Sequence, residues 1–304
     1  MVENSKNQDT RFEMVGAGYM HHEPKIMKPT LGMRLKGKPI MSMVVLMLII
    51  VGCIFAPLIT NHDPSRYYYE ALSKAPNTEF FFGTDSMGRD LYSIMFFGGR
   101  SSLVIGILGA AIIAVLGISY GTVSGTAGDK TDAVLMRITE MCGAIPSMLM
   151  VLIITAIFPA ENVISMSIVV GITGWFGLAR ITRTEVRQIR NTEYVLYARS
   201  TGGHFGYVMR RHLIPNFLSA IMFVVVSGIS SCMTTESTLS FLGLGLPLDV
   251  LSWGSMLSLA NKALITNDWW VIIIPGVFLV VTLICITDLG NFLRKETYKK
   301  CSNL

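Results

Sequence analysis

Charge is what this sequence has least of. Asp, Glu, Lys and Arg make up 15% of its 304 residues, against 51% apolar, whereas soluble domains carry about 25% charged residues. The shortfall excludes an ordinary soluble domain, so spans rather than domains are counted. Paired cysteines are missing as well. Cys53, Cys142, Cys232, Cys285 and Cys301 stand singly, with no CxxC or Cys/His cluster. That excludes a disulfide framework and a zinc site and leaves small apolar packing residues. His21 and His22 adjoin but lack a third ligand nearby, and they read as solvated loop. Catalytic signatures are absent too. The Gly37-Lys38 pair lies outside any G-x-x-x-x-G-K-[ST] pattern, no serine sits in G-x-S-x-G, and no H-E-x-x-H occurs. Neither a nucleotide site nor another catalytic constellation is legible, and nothing points to nucleic acid.

What is present is a series of long apolar runs. A bilayer core takes about 20 apolar residues per helix, and six segments qualify: roughly 40–60, 101–124, 133–158, 163–180, 217–241 and 269–289. The expected fold is therefore all-α and polytopic, a transmembrane domain over 40–289 between tails at 1–39 and 290–304. The polar, basic first stretch is too long for the n-region of a cleavable signal. Pro146 predicts a kink inside the third span rather than a break. Gly171, Gly174 and Gly177 predict close packing of the fourth span. The stretch 91–99 reads as a separate interfacial helix, with aromatics at headgroup depth.

Orientation follows from the cations. Residues 1–39 hold seven Lys and Arg, 180–216 hold seven, the tail after 293 holds four, and Lys130 and Arg137 add two. The opposite side keeps Arg66, Lys74, Arg89, Arg100 and Lys262, diluted by Asp63, Glu70, Glu79, Asp85, Asp90, Asp249 and Asp268. The bias puts both termini in the cytoplasm. Glu236 lies nineteen residues into the fifth span, ~28 Å along its axis, which predicts a place at the outer interface. No Asp, Glu, Lys or Arg is forced to the midplane, which argues against a proton-coupled carrier working alone.

One polar strip interrupts this pattern, the loop 181–216. Arg180, Arg183, Arg187 and Arg190 share a helical face. For the last three, lipid headgroups are one expected partner. Asn191 is placed to N-cap a short helix over about 192–200, with Glu193 in its first turn. Gly202-Gly203 can end that helix with a left-handed cap. Such a helix would project Tyr194, Val195, Ala198 and Gly202 into the cytoplasm, and its Ala198-x-x-x-Gly202 segment, with small residues, suits close approach by another surface.

"EYVLYARSTGGHFGYVMRRHLIPN" (193–216) resembles the EAA loop of ABC-importer permeases, with Ala198, Gly202 and Pro215 at matching positions and Leu196, Tyr197 and His212 departing from the pattern. "FFGTDSMGRDLYSIMFFGGRSSLVIG" (81–106), "ESTLSFLGLGLP…SWGSML" (236–257), "WWVIIIPG" and "LGNFLR" resemble further segments of the dipeptide/oligopeptide/nickel permeases, C-type subunit. The resemblance implies a type I ABC importer permease fold in a bacterial inner membrane. It implies a coupling helix built from Glu193, Tyr194, Val195, Ala198, Arg199, Gly202 and Pro215. The expected partners are a homologous permease, two cytoplasmic ATPases that bind ATP and Mg, and an extracytoplasmic solute-binding protein. The chain itself would carry no cofactor and no ATPase site. Peptides are the expected cargo, with nickel complexes or another small solute as alternatives.

Three further assignments remain open at this stage. Ser227, Ser231, Thr234 and Thr238 recur along one face of the fifth span, and they either line a solute path or glue helices together. Asp85, Arg89 and Asp90 either dock the binding protein or brace the outer loop. A secondary carrier and a membrane enzyme are the competing classes, the latter resting on little more than His204 and His212.

Overall fold

The computed structural model describes residues 39–202, 205–208 and 214–302. The His21-His22 pair, Gly203, His204, Arg210, Arg211 and His212 lie outside the described residues, as do the side chains of Tyr194, Arg199 and Pro215. Among the described residues the chain is helical, and its one strand-like pairing is an isolated bridge between Thr84 and Asp90. In chain order the helices are α1 (Ile40–Ile54), α2 (Ala56–Ile59), α3 (Leu91–Thr126), α4 (Asp129–Gly143), α5 (Ser147–Ile157) and α6 (Val163–Arg190). They continue as α7 (Glu193–Ser200), α8 (Phe205–Val208), α9 (Ile214–Phe241), α10 (Trp253–Leu257), α11 (Ala260–Thr266) and α12 (Trp269–Ser302).

Three of them, α3, α6 and the Trp269–Glu296 part of α12, are long and apolar enough to cross a membrane. The α4–α5 pair adds a fourth crossing if it counts as one span. That pair corrects the expectation at Pro146. The chain breaks there and turns by 85° rather than bending gently. Proline has no N–H to donate and disfavours helical geometry at the residue before it, so α4 stops and α5 starts afresh at Ser147. A second correction concerns 91–99, which is not a separate helix. Asp90 caps α3 by accepting the Ser93 N–H at 3.0 Å, and no proline follows before Thr126. The result is 36 continuous residues, about 54 Å at 1.5 Å per residue.

The core forms where α3 and α6 pack along their lengths, with α9 against both and α12 against α9. Small residues on both helices allow the approach. At Gly117, Gly121 and Gly125 an added Cβ would sit within 2.9 Å of Leu178, Ala179, Thr182 or Val186. On α6, Gly171 and Gly174 do press on Ile112 and Ile113, but Gly177 has nothing within 4 Å. Asn162 starts α6 with a capping box shared with Ser165, and the helix then runs unbroken through its arginine face to Arg190.

The end of the bundle where α3 starts is closed by loops. Ser73 donates to Asp268 at 2.6 Å, and the Trp270 indole N–H donates to the Thr84 carbonyl at 3.0 Å. Trp253 is fully buried, its indole N–H on the Met95 carbonyl at 2.9 Å. The glycine-rich 241–247 stretch is a helix stop. Gly243 has φ +74°, its N–H reaches the Ser240 carbonyl, and the Leu244 N–H reaches that of Leu239, a Schellman arrangement.

Candidate functional site

At the opposite end, α6 runs into α7 through Asn191 and Thr192 alone. Asn191 does not cap α7 as expected. It ends α6, its N–H reaching the Gln188 and Ile189 carbonyls. Thr192 precedes α7 and its carbonyl accepts from Val195 and Leu196 at 3.1 and 3.0 Å. A two-residue joint leaves no slack, so a displacement of α7 is delivered to the last turns of α6.

The surface that α7 presents also differs from the expected one. Val195 is fully buried in the apolar core with Val186 and Phe217, and Ala198 packs half-buried against that core. Glu193, Leu196, Tyr197 and Ser200 are outside, with Leu196 50% and Tyr197 71% exposed. Two of the three residues that depart from the EAA pattern, Leu196 and Tyr197, are thus large groups on the open face. Gly202 closes α7 at φ +86°, and a Cβ there would meet nothing within 4 Å. Backbone geometry, not crowding within this chain, favours glycine at that position.

The arginine face of α6 turns to protein rather than to headgroups. Arg183 forks onto Asp132, with Nε to Oδ1 at 3.0 Å and Nη2 on Oδ2. Arg187 reaches the same carboxylate at 2.9 Å and Asp129 at 3.1 Å. Arg190 donates to the Thr126 and Ala127 carbonyls at 3.0 and 3.3 Å, where the end of α3 leaves carbonyls without helical partners. The Ser124 hydroxyl also donates to Asp132. Sequence spacing reveals the stripe but not its partners, which lie 51 or more residues earlier.

On α9 the hydroxyl stripe is split. Ser231 and Thr234 are exposed on this chain and Thr238 is partly so. Ser227 is half-buried beside Gly290 of α12, where an added Cβ would lie 3.5 Å from its Oγ. The Thr234 and Thr238 hydroxyls donate to the carbonyls of Ser230 and Thr234 at 2.8 and 2.7 Å, and each oxygen keeps lone pairs to accept. Glu236, on another face near the end of α9, is fully buried. It accepts from Ser252 at 2.8 Å, Ser240 at 3.0 Å and Ser237 at 3.2 Å. Sequence reasoning missed this box because Ser252 and Gly254 return to cover the carboxylate after an intervening loop.

Asp85, Arg89 and Asp90 are all buried. Asp85 Oδ1 accepts the Met87 and Arg89 N–H groups at 2.9 Å, and its Oδ2 takes Arg89 Nε at 2.8 Å. Arg89 Nη1 extends to the Leu248 carbonyl at 3.2 Å, and Asp90 caps α3. The geometry is that of a brace, with no charged face left outward.

Residues 117–295 match the family described as "Binding-protein-dependent transport system inner membrane component". Similar proteins include the oligopeptide transport system permease protein of Bacillus subtilis (strain 168), 34% identical over 83% of this chain and 82% of that one. The dipeptide transport system permease protein of the same organism is 32% identical over 82% and 78%. The oligopeptide transport system permease protein of Escherichia coli (strain K12) is 34% identical over 83% and 84%.

Proposed function

The chain belongs to the binding-protein-dependent transport system inner membrane component family, and we propose that it is the permease subunit of an ATP-driven importer of di- or oligopeptides. The reading is carried by α7, an eight-residue helix with an open Glu193-Leu196-Tyr197-Ser200 face, rooted through a two-residue joint in a membrane helix. In this reading α7 seats in a groove of a cytoplasmic ATPase. ATP binding closes two such ATPases, and α7 passes that motion to α6 and the bundle. α7 is then the element that both the nucleotide and the solute bias. Peptide as cargo rests on the names of the relatives.

Six crossings fit the family, with α1 and α9 joining the four spans read above and both termini in the cytoplasm, as the cation bias requires. The exposed Ser231 and Thr234, with Thr238 and Ser227, would line a path closed from the other side by a homologous permease. Their hydroxyls can exchange hydrogen bonds with a passing backbone. Solute would arrive from a binding protein outside. ATP and Mg would be held by the ATPases, this chain supplying no hydrolytic site.

The test is peptide uptake in cells or vesicles carrying the permease pair and binding protein, with and without the ATPases. Uptake that requires intact ATPases is expected. Uptake that persists without them would establish a secondary carrier instead.

A further inference from the structure

We propose that Asp132 is a positioning residue for coupling: it locks the end of α3, the start of α4 and the end of α6 into one body, so that a stroke at α7 moves all three. This rests on the functional reading above.

The geometry is more than a surface ion pair. The Asp132 side chain is 5% exposed and takes both Arg183 nitrogens, Arg187 Nη2 and the Ser124 hydroxyl. Ser124 belongs to α3, Asp132 to α4 and the arginines to α6, so one carboxylate joins three helices. Arg190 adds a second tie two turns on, gripping the last carbonyls of α3. Beneath the clamp, Gly121 and Gly125 bring the α3 backbone against Thr182, Arg183 and Val186, which leaves little room for independent sliding. Asp129 also pairs with Arg187, but its side chain is 98% exposed, and exposed pairs contribute little.

Location gives the clamp its consequence. Arg187 and Arg190 lie in the final turns of α6, just before the joint to α7, and Asp132 lies in the first turn of α4. A displacement of α7 therefore reaches α4 directly, and beyond it the 85° break to α5. Without the carboxylate, Arg183 loses its fork and Arg187 keeps only the exposed Asp129, and α6 can move while α3 and α4 lag.

The experiment uses the complete complex, both permeases with ATPases, in proteoliposomes with oligopeptide-loaded binding protein. Peptide imported per ATP hydrolysed is measured for wild type, D132N, D132E and D129N. D132N is expected to assemble and hydrolyse ATP while importing at least about fivefold less peptide per ATP, a typical coupling loss. D132E is expected to recover most of the ratio, and D129N to match wild type. An unchanged ratio in D132N, or no recovery in D132E, overturns the proposal. Should D132N fail to assemble, R183K is read in its place, since it keeps the charge and loses the fork. Failure of both to assemble assigns the clamp to folding alone and also overturns it. A wild-type complex with no ATP-dependent uptake instead overturns the functional reading itself.

Discussion

Glu236 is held by three serine hydroxyls, with no cation in its hydrogen-bond set. A buried carboxyl of this kind depends on every partner being present, because an orphaned polar group in the interior costs about 1–3 kcal/mol. Glu236→Ala removes the shared acceptor and leaves a void, so the bundle should lose about 2–4 kcal/mol. Glu236→Gln keeps the shape and one acceptor oxygen and should lose clearly less. Thermal unfolding of the purified protein in lipid nanodiscs measures both, and equal losses would show that the hydroxyls do not matter. At this scale the sequence was a partial guide. Helical arithmetic placed Glu236 at the right end of α9, but its enclosure depends on a Gly254 that approaches closely enough for a Cβ to fall 2.6 Å from Glu236 Oε1. No spacing rule reports that approach. Asp85, Arg89 and Asp90 stood open between docking and bracing, and spacing alone does not show that all three are buried and bonded within the chain.

Helix starts and stops are written in local chemistry, but of those below only the Gly202 stop was read in advance; Asn191 was expected to start α7 and ends α6 instead. Asp90 caps α3, Asn162 caps α6, and Gly243 and Gly202 end α9 and α7 in the left-handed region. A β-branched residue pays the steric cost of that region, about 1–2 kcal/mol. Gly243→Val should accordingly lower stability by about that amount without touching the α6–α7 end, which nanodisc unfolding checks. What local chemistry does not carry is which helix meets which. The Pro146 break was underestimated because a proline can either bend a helix or end it, and neighbours decide. Close packing of α6 was expected from its glycines, and Gly171 and Gly174 do press on α3, but the matching approach from Gly117, Gly121 and Gly125 of α3 was not foreseen. Gly121→Leu would force the two backbones apart, because an added Cβ already collides with the Ala179 carbonyl. Overpacking commonly costs about 1–3 kcal/mol. A fall in folded yield of at least several-fold, read by size-exclusion chromatography, is the expected outcome, and wild-type yield would contradict the packing.

Across the whole molecule, two ends of one 36-residue helix serve different ends of the account. Near Asp90, the side chains of Asp85, Arg89 and Asp90 are buried and bonded within the chain. Near Thr126 three arginines tie α3 and α4 to the helix that carries α7. The scarcity of charge, the long apolar runs and the cation bias were enough to expect a polytopic membrane protein, while the open hydroxyl face of α9 gains meaning only with a second permease beside it. The central claim is that work enters through α7. Gly202→Asp bears on it, since an added Cβ there meets nothing within 4 Å among the described residues, leaving backbone strain at φ +86° and the docked partner as the sources of its effect. The measurement is peptide-stimulated ATP hydrolysis and peptide uptake, recorded together in proteoliposomes holding the complete complex. The account predicts that Gly202→Asp abolishes both stimulation and uptake while the two permeases still assemble. Wild-type uptake with wild-type stimulation would contradict it.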